Sequence, residues 1–168
     1  PKSLLNGVVF FPSDEAGLYA LETWRSVPGL RMLEWLDEPA LRMIERRYPD
    51  VPSDAKAALI IEQICENDSC VDQWIVRLSE TGSFEEKSWF GFTDADRERF
   101  RVFRHALAEC SLETSRRNGI RGLTTDFSVP IPQHREMLAI YRQTMERIMP
   151  GHYCIFGHAG DAHPHVNM

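Results

Sequence analysis

The 168-residue chain has no long apolar run. Its longest purely aliphatic stretch is residues 57–61 (AALII), whereas a membrane-spanning helix needs about 18–20 apolar residues. Its first residues also lack the charged segment and apolar core of a secretory signal. We therefore expect no transmembrane segment, and a cytoplasmic protein that can also lie peripherally at the inner membrane.

Positive charge is also scarce. The chain carries 19 Lys and Arg against 25 Asp and Glu, which gives a net charge of −6. A protein that neutralises a phosphate backbone needs a basic excess instead. The composition therefore predicts no nucleic-acid partner.

Cysteine is limited to four residues with no CxxC motif, namely Cys65, Cys70, Cys110 and Cys154. Their irregular spacing is typical of reduced thiols in a cytosolic protein rather than of a disulfide framework. Cys65 and Cys70 flank one loop and could form a redox pair, but buried free thiols are the commoner case. The ten glycines are scattered at turns, so the chain has no glycine-rich phosphate loop.

The composition is otherwise that of a globular domain, with 43% hydrophobic and 26% charged residues. The length fits one domain over residues 1–168. Because the chain begins without methionine and ends inside a predicted strand, we expect it to be a fragment of a longer polypeptide.

Predicted strands and helices alternate along the chain. The apolar patterns predict strands at 8–11, 30–36, 57–64, 84–92, 153–157 and 163–168, with an extended segment at 123–129. Start signals at Ser13, Asp37, Ser69, Thr93 and Pro132 predict five helices. Several strands are polar at alternate positions, which favours an α+β fold with a mixed or antiparallel sheet covered by helices.

The residues best suited to chemistry lie near the end of the chain. Strand alternation places His163, His165 and Asn167 on one side of the last strand, and a glycine turn brings His158 back towards them. Histidines at i and i+2 suit a divalent metal completed by a third histidine or a carboxylate. Asp161 is the only acid nearby in the sequence. The alternative is an exposed strand end whose histidines are solvated.

Two motifs in this region resemble one family. His158-Ala-Gly-Asp161, followed by His165-Val-Asn167, resembles the H-x-G-D-(G)-(N)-x-H-x-N signature in the C-terminal cap domain of FAD-linked oxidases and dehydrogenases of 2-hydroxy acids. That group belongs to the vanillyl-alcohol-oxidase-type flavoproteins and includes D-lactate, glycolate and D-2-hydroxyglutarate dehydrogenases. Residues 126–130 (DFSVP) resemble the D-x-x-V-P segment of the same domain, and Phe103-Arg104 is similar to its aromatic-x-x-Arg element.

The resemblance implies a metal site. In the family the two signature histidines, here His158 and His165, bind a divalent metal, commonly zinc, with a glutamate further along the chain, which here would lie beyond Met168. This chain has Ala162-His163 where the family often has Gly-Asn. His163 is therefore expected as an additional metal ligand.

The resemblance also implies the other partners. Asn167 would face the substrate, and Arg104 would bind the carboxylate of a small 2-hydroxy acid, for which a planar guanidinium is well suited. Gly160 and Asp161, with Asn167, would lie against the cofactor. FAD itself would be bound mainly by a separate FAD-binding domain of the same protein, so the fragment alone would be inactive.

The resemblance leaves the substrate and some competing functions open. Some relatives carry a lysine where this chain has Thr124, so the identity of the hydroxy acid does not follow by analogy. A non-catalytic metal-binding or interaction module is the main alternative function. A zinc hydrolase is disfavoured because the chain has neither an HExxH motif nor a nucleophile elbow.

Overall fold

A six-stranded sheet with helices on both faces forms the framework of the chain. The computed structural model describes residues 3–67, 69–119 and 121–168. In chain order the elements are β1 (Ser3–Phe11), α1 (Asp14–Trp24), β2 (Leu30–Asp37), α2 (Glu38–Ile44), β3 (Ala57–Cys65), α3 (Ser69–Thr81), β4 (Trp89–Gly91), α4 (Asp94–Arg117), α5 (His134–Ile148), β5 (Cys154–His158) and β6 (His163–Asn167).

The strand order is β4-β1-β3-β2-β5-β6, and every neighbouring pair is antiparallel. The predicted α+β fold is therefore confirmed, and the sheet is antiparallel rather than mixed. None of the helices in the described ranges has the length and apolarity to cross a bilayer.

Each face of the sheet has its own hydrophobic core. Side chains alternate along a strand, so Val9 and Phe11 of β1 pack with α1, α3 and α5, whereas Val8 and Phe10 pack with α2 and α4. The central strands are buried on both sides and therefore read as nearly continuous apolar runs. We call the second side the α4 face, because it carries the candidate site described below.

Most helix starts follow the predicted capping signals. The Ser13 hydroxyl accepts from the Ala16 amide at 3.1 Å. Thr93 and Asp96 form a reciprocal capping box at the start of α4. Ser69, which was predicted to cap α3, is instead the first residue of that helix, and its hydroxyl donates to Asn67 Oδ1.

The predicted strand at 84–92 is wrong for its first half. Residues Glu85–Lys87 form a 3-10 turn, and only Trp89–Gly91 pairs with β1. The Ser88 hydroxyl explains the change, because it donates to the Phe84 carbonyl and accepts from the Phe10 amide, which closes the turn before the strand begins. The segment at 123–129 forms a single bridge, between Thr124 and Asn167.

The prediction of four reduced thiols is also wrong. Cys65 at the end of β3 and Cys70 in the first turn of α3 form a disulfide, and Cys110 and Cys154 are free. The connection from β3 into α3 brings the two Cα atoms to 5.7 Å, within the range that a disulfide spans. For Cys65 and Cys70, the irregular spacing of the cysteines therefore does not indicate reduced thiols.

Asp37 connects α2 to β5 through a buried carboxylate. Its Oδ1 accepts from the Ala40 amide at 2.9 Å, and its Oδ2 accepts from the Ile155 amide at 2.7 Å. Burial raises the pKa of Asp37 to about 7, although both backbone hydrogen bonds favour the ionised form. One side chain thus fixes where α2 begins and where β5 lies.

We expect Asp37→Ala to lower the free energy of unfolding by about 2–3 kcal/mol, because two buried amides lose their acceptor. Because the pKa of Asp37 is higher in the folded than in the unfolded protein, Asp37 contributes most to the free energy of unfolding at a pH below its unfolded-state pKa. This contribution is lost as the pH rises towards 7. The deficit of the variant should therefore be larger at pH 5 than at pH 8 in urea unfolding.

Asp54→Ala is the matched control for this measurement. Asp54 is an exposed aspartate that pairs only with Lys87 among the described residues, so we expect no measurable change. A deficit of Asp37→Ala that grows from pH 5 to pH 8 would contradict the raised pKa.

Candidate active site

The hairpin of β5 and β6 brings the three predicted histidines together. His158 lies directly opposite His163, and Phe156 lies opposite His165. Directly opposed residues of an antiparallel pair project to the same face, so the imidazoles cluster on the α4 face. The ring centroids are 4.7 Å apart for His163 and His165, and 5.7 Å apart for His158 and His165.

The turn of this hairpin is fastened to the end of α1. Arg25 donates from Nε to the Gly160 carbonyl at 3.2 Å and from Nη2 to the Ala159 carbonyl at 2.7 Å. Ala162 has a φ of 51°, the left-handed conformation that favours glycine. Asp161, at the tip, is exposed. Arg25 was not predicted from the sequence, because its contacts lie more than 130 residues away.

Glu34 of β2 links two of the predicted site residues. Its Oε1 accepts a hydrogen bond from Arg104 Nε at 2.8 Å, forms an ion pair with Arg104 Nη2 at 2.6 Å, and lies 2.9 Å from His158 Nδ1. The Glu34 side chain is only 7% exposed. Its hydrogen bond raises the pKa of Arg104. The only sequence signal for this residue was a single acid within the apolar run at 30–36.

Two residues of the 121–129 segment contact the other histidines. Asp126 Oδ1 is 2.8 Å from His163 Nε2. The Thr125 carbonyl is 2.8 Å from His165 Nδ1, and because a carbonyl can only accept, Nδ1 carries the proton. The acids in contact with His158 and His163 are therefore Glu34 and Asp126, which lie far from them in the sequence.

Three side chains of this cluster lie close enough together to bind one metal ion. One ligand atom each from Asp126, His163 and His165 lie within 4.8 Å of one another. The protonated Nδ1 of His165 leaves Nε2 free as a ligand, the usual tautomer of metal-bound histidine. Two imidazoles and a carboxylate are a typical zinc donor set. His158 lies outside this group and contacts Glu34.

Asn167 lies two residues beyond His165 on β6, on the same face of the sheet. Its Oδ1 accepts from the Thr124 hydroxyl at 2.9 Å, and the residue is 8% exposed. Thr124 thus orients the Asn167 side chain.

Several of these residues line one open cleft of ≈ 420 Å³ on the α4 face. Its polar residues include Glu34, Arg104, His158 and His165, and its apolar wall includes Leu107, Ala108, Leu112 and Phe156. A small molecule in this cleft would meet one guanidinium, three imidazoles (His105, His158 and His165) and two carboxylates (Glu34 and Glu109) against an apolar wall.

Comparison with known families identifies the domain. Residues 1–168, the whole chain, match the family model for the C-terminal domain of FAD-linked oxidases. The chain belongs to this family. Membership implies a flavin-linked oxidoreductase whose cofactor is FAD. A comparison with curated proteins found no match.

Gly157 of the FAD-linked oxidase domain leaves the space that the His165 ring occupies. It has a φ of +132°, and a Cβ there would lie 2.7 Å from His165 Cδ2. We expect Gly157→Ala to destabilise the domain by about 2 kcal/mol or more, because backbone strain adds to the clash. Denaturant unfolding measures this loss.

Gly151→Ala is the control. Gly151 has a φ of +71°, and a Cβ there would meet no atom of the described residues within 4 Å. We expect this variant to lose only about 1 kcal/mol from backbone strain. Equal losses for the two variants would show that His165 is not packed against Gly157.

Proposed function

We propose that this domain forms the substrate side of a flavoenzyme that oxidises a small 2-hydroxy acid of the D-lactate or glycolate type by hydride transfer to FAD. The observation that carries the proposal is the cleft in which Arg104 lies beside His158 and His165. A 2-hydroxy acid presents a carboxylate and an adjacent hydroxyl, which need a cation and a proton acceptor side by side.

Arg104 can hold the substrate carboxylate while remaining anchored. A guanidinium has five N–H donors, and Glu34 engages Nε and Nη2, which leaves Nη1 for the substrate. The Arg104 side chain is 33% exposed. Asn167, oriented by Thr124, is proposed to face the substrate from the neighbouring position on β6.

A histidine of the cluster is proposed to accept the hydroxyl proton. His165 can do so only at Nε2, because its Nδ1 is committed to the Thr125 carbonyl, so it serves either as the base or as a metal ligand and not as both. When bound, FAD accepts the hydride from C2, and a divalent metal such as zinc lowers the pKa of the substrate hydroxyl. His158, His165 and His163 are the proposed metal ligands, and Asp126 adds a carboxylate beside His163.

The FAD-binding domain is proposed to be a separate part of the same protein, with residues 1–168 as its cap. The scattered glycines of this chain provide no phosphate loop. Gly160 and Asp161, at the tip of the β5–β6 hairpin, are proposed to approach the cofactor. The Asp161 carboxylate is exposed there and available for contact.

One observation favours a second function. Asp126, His163 and His165 form a possible ligand group that needs neither substrate nor flavin. A non-catalytic metal-binding or interaction module would keep this group, but it would have no use for the cleft beside Arg104.

The test of the proposed function is flavin reduction in the full-length protein. Anaerobic addition of D- and L-2-hydroxy acids should bleach the flavin absorbance with one of them, which would also name the substrate. Bound flavin that no compound bleaches would contradict the 2-hydroxy-acid assignment, and a purified protein without flavin would favour the metal-binding module.

We expect His158→Ala and His165→Ala in that protein to remove bound metal and to lower turnover by at least about 100-fold, because catalytic and ligand groups are lost. Flavin content should not change. Metal analysis and steady-state rates measure both effects.

His152→Ala is the control, since His152 is exposed and lies outside the cluster. Asp126→Asn in the same series distinguishes the two possible ligand sets. Loss of metal in Asp126→Asn, with metal retained in His158→Ala, would assign the metal to Asp126, His163 and His165. Normal metal content and activity in both histidine variants would contradict the site.

A further inference from the structure

Glu34 is a buried charge at the base of the cleft. It lies in β2, between β3 and β5 near the middle of the sheet, and the residue is 6% exposed. A carboxylate loses several kcal/mol of hydration when it is buried, so it persists only where donors replace the water. Arg104 and His158 provide those donors from two other elements, α4 and β5.

The contact with His158 selects one tautomer of the ring. An ionised carboxylate accepts hydrogen bonds and cannot donate them, so the 2.9 Å contact places the proton on Nδ1. Nε2 is then left with its lone pair. A carboxylate behind an imidazole fixes ligand histidines in the same way in metal sites.

The contact with Glu34 holds one edge of the Arg104 guanidinium. Nε and Nη2 both lie within 2.8 Å of the same Oε1. Long side chains lose rotamer entropy on binding, and an arginine already held by Glu34 loses less when it meets a ligand.

Glu62 shows what an ordinary glutamate does on the same face. It lies on β3 opposite Met32 and is paired with Arg31 at 3.4 Å and with Arg97 at 3.9 Å. No histidine is among the partners identified for Glu62 in the described residues. The combination of an arginine and a histidine on one carboxylate oxygen therefore distinguishes Glu34 from its neighbour.

We propose that Glu34 is the positioning residue of this site. Glu34 holds Arg104 in place for the substrate carboxylate. It also holds His158 so that Nε2 points away from Glu34 and can bind the metal. The inference rests on the proposed function and extends it by one residue. In this role Glu34 acts through its contacts with Arg104 and His158.

The test is a pair of double-mutant cycles in the full-length flavoprotein. We expect Glu34→Gln to weaken zinc affinity by about 10–100-fold, measured against a chromophoric chelator, and to raise the KM for the 2-hydroxy acid about tenfold. When His158 is already replaced by Asn, Glu34→Gln should alter zinc affinity less than about twofold. When Arg104 is already replaced by Gln, Glu34→Gln should alter KM less than about twofold.

Glu62→Gln is the matched control and should leave zinc affinity and KM within about twofold of the wild type, while flavin content reports folding. If Glu34→Gln does not fold, Glu34→Asp is the second variant, because it keeps the charge and shortens the side chain. It is then compared in the same way, by zinc affinity in the His158→Asn background and by KM in the Arg104→Gln background.

Effects of Glu34→Gln that persist in both backgrounds would overturn the positioning role, as would a variant that matches Glu62→Gln. A wild-type protein that binds zinc without oxidising any 2-hydroxy acid would contradict the proposed function alone, and the zinc cycle would still decide the role of Glu34. A wild type with neither zinc nor turnover would overturn both.

Discussion

The pairing of β5 with β2 is the constraint on which the candidate site depends. Trp35 lies opposite Gly157, and Leu36 lies opposite Phe156, so Glu34 and His158 share a face. A slip of one residue would turn every side chain of β5 to the other face and separate the histidine from its carboxylate. Asp37, further along β2, stabilises the same register by accepting a hydrogen bond from the Ile155 amide. Two buried carboxylates on β2 thus set the position of the hairpin.

Each of two acids at the site has a partner within the site. Glu34 faces Arg104, and Asp126 faces His163. The first pair is largely buried and the second is more exposed, with Asp126 83% accessible. Because exposed pairs contribute little and buried pairs resist separation, the Glu34 side of the cleft is the rigid one. The Asp126 side can adapt to a ligand at smaller cost.

The sequence predicted the features that depend on neighbouring residues. The caps at Ser13 and Thr93 depend on contacts three residues apart, and the shared face of the histidines follows from strand alternation. Glu34 and Asp126 were not predicted as contacts of the histidines because they reach them over 124 and 37 residues. Such distances are set by strand order, which no local pattern specifies. The late start of β4 within the predicted strand was also not predicted, since it depends on the hydrogen bonds by which Ser88 closes the preceding turn.

The segment at 121–129 also covers the outer edge of β6. The Leu123 and Thr125 amides donate to the carbonyls of Met168 and Val166, and the Val129 amide donates to the Ala162 carbonyl. An uncovered edge strand is a template for pairing with another molecule. Because Thr125 and Asp126 belong to this covering segment, changes that detach it would make the protein prone to aggregation as well as disturb the histidines.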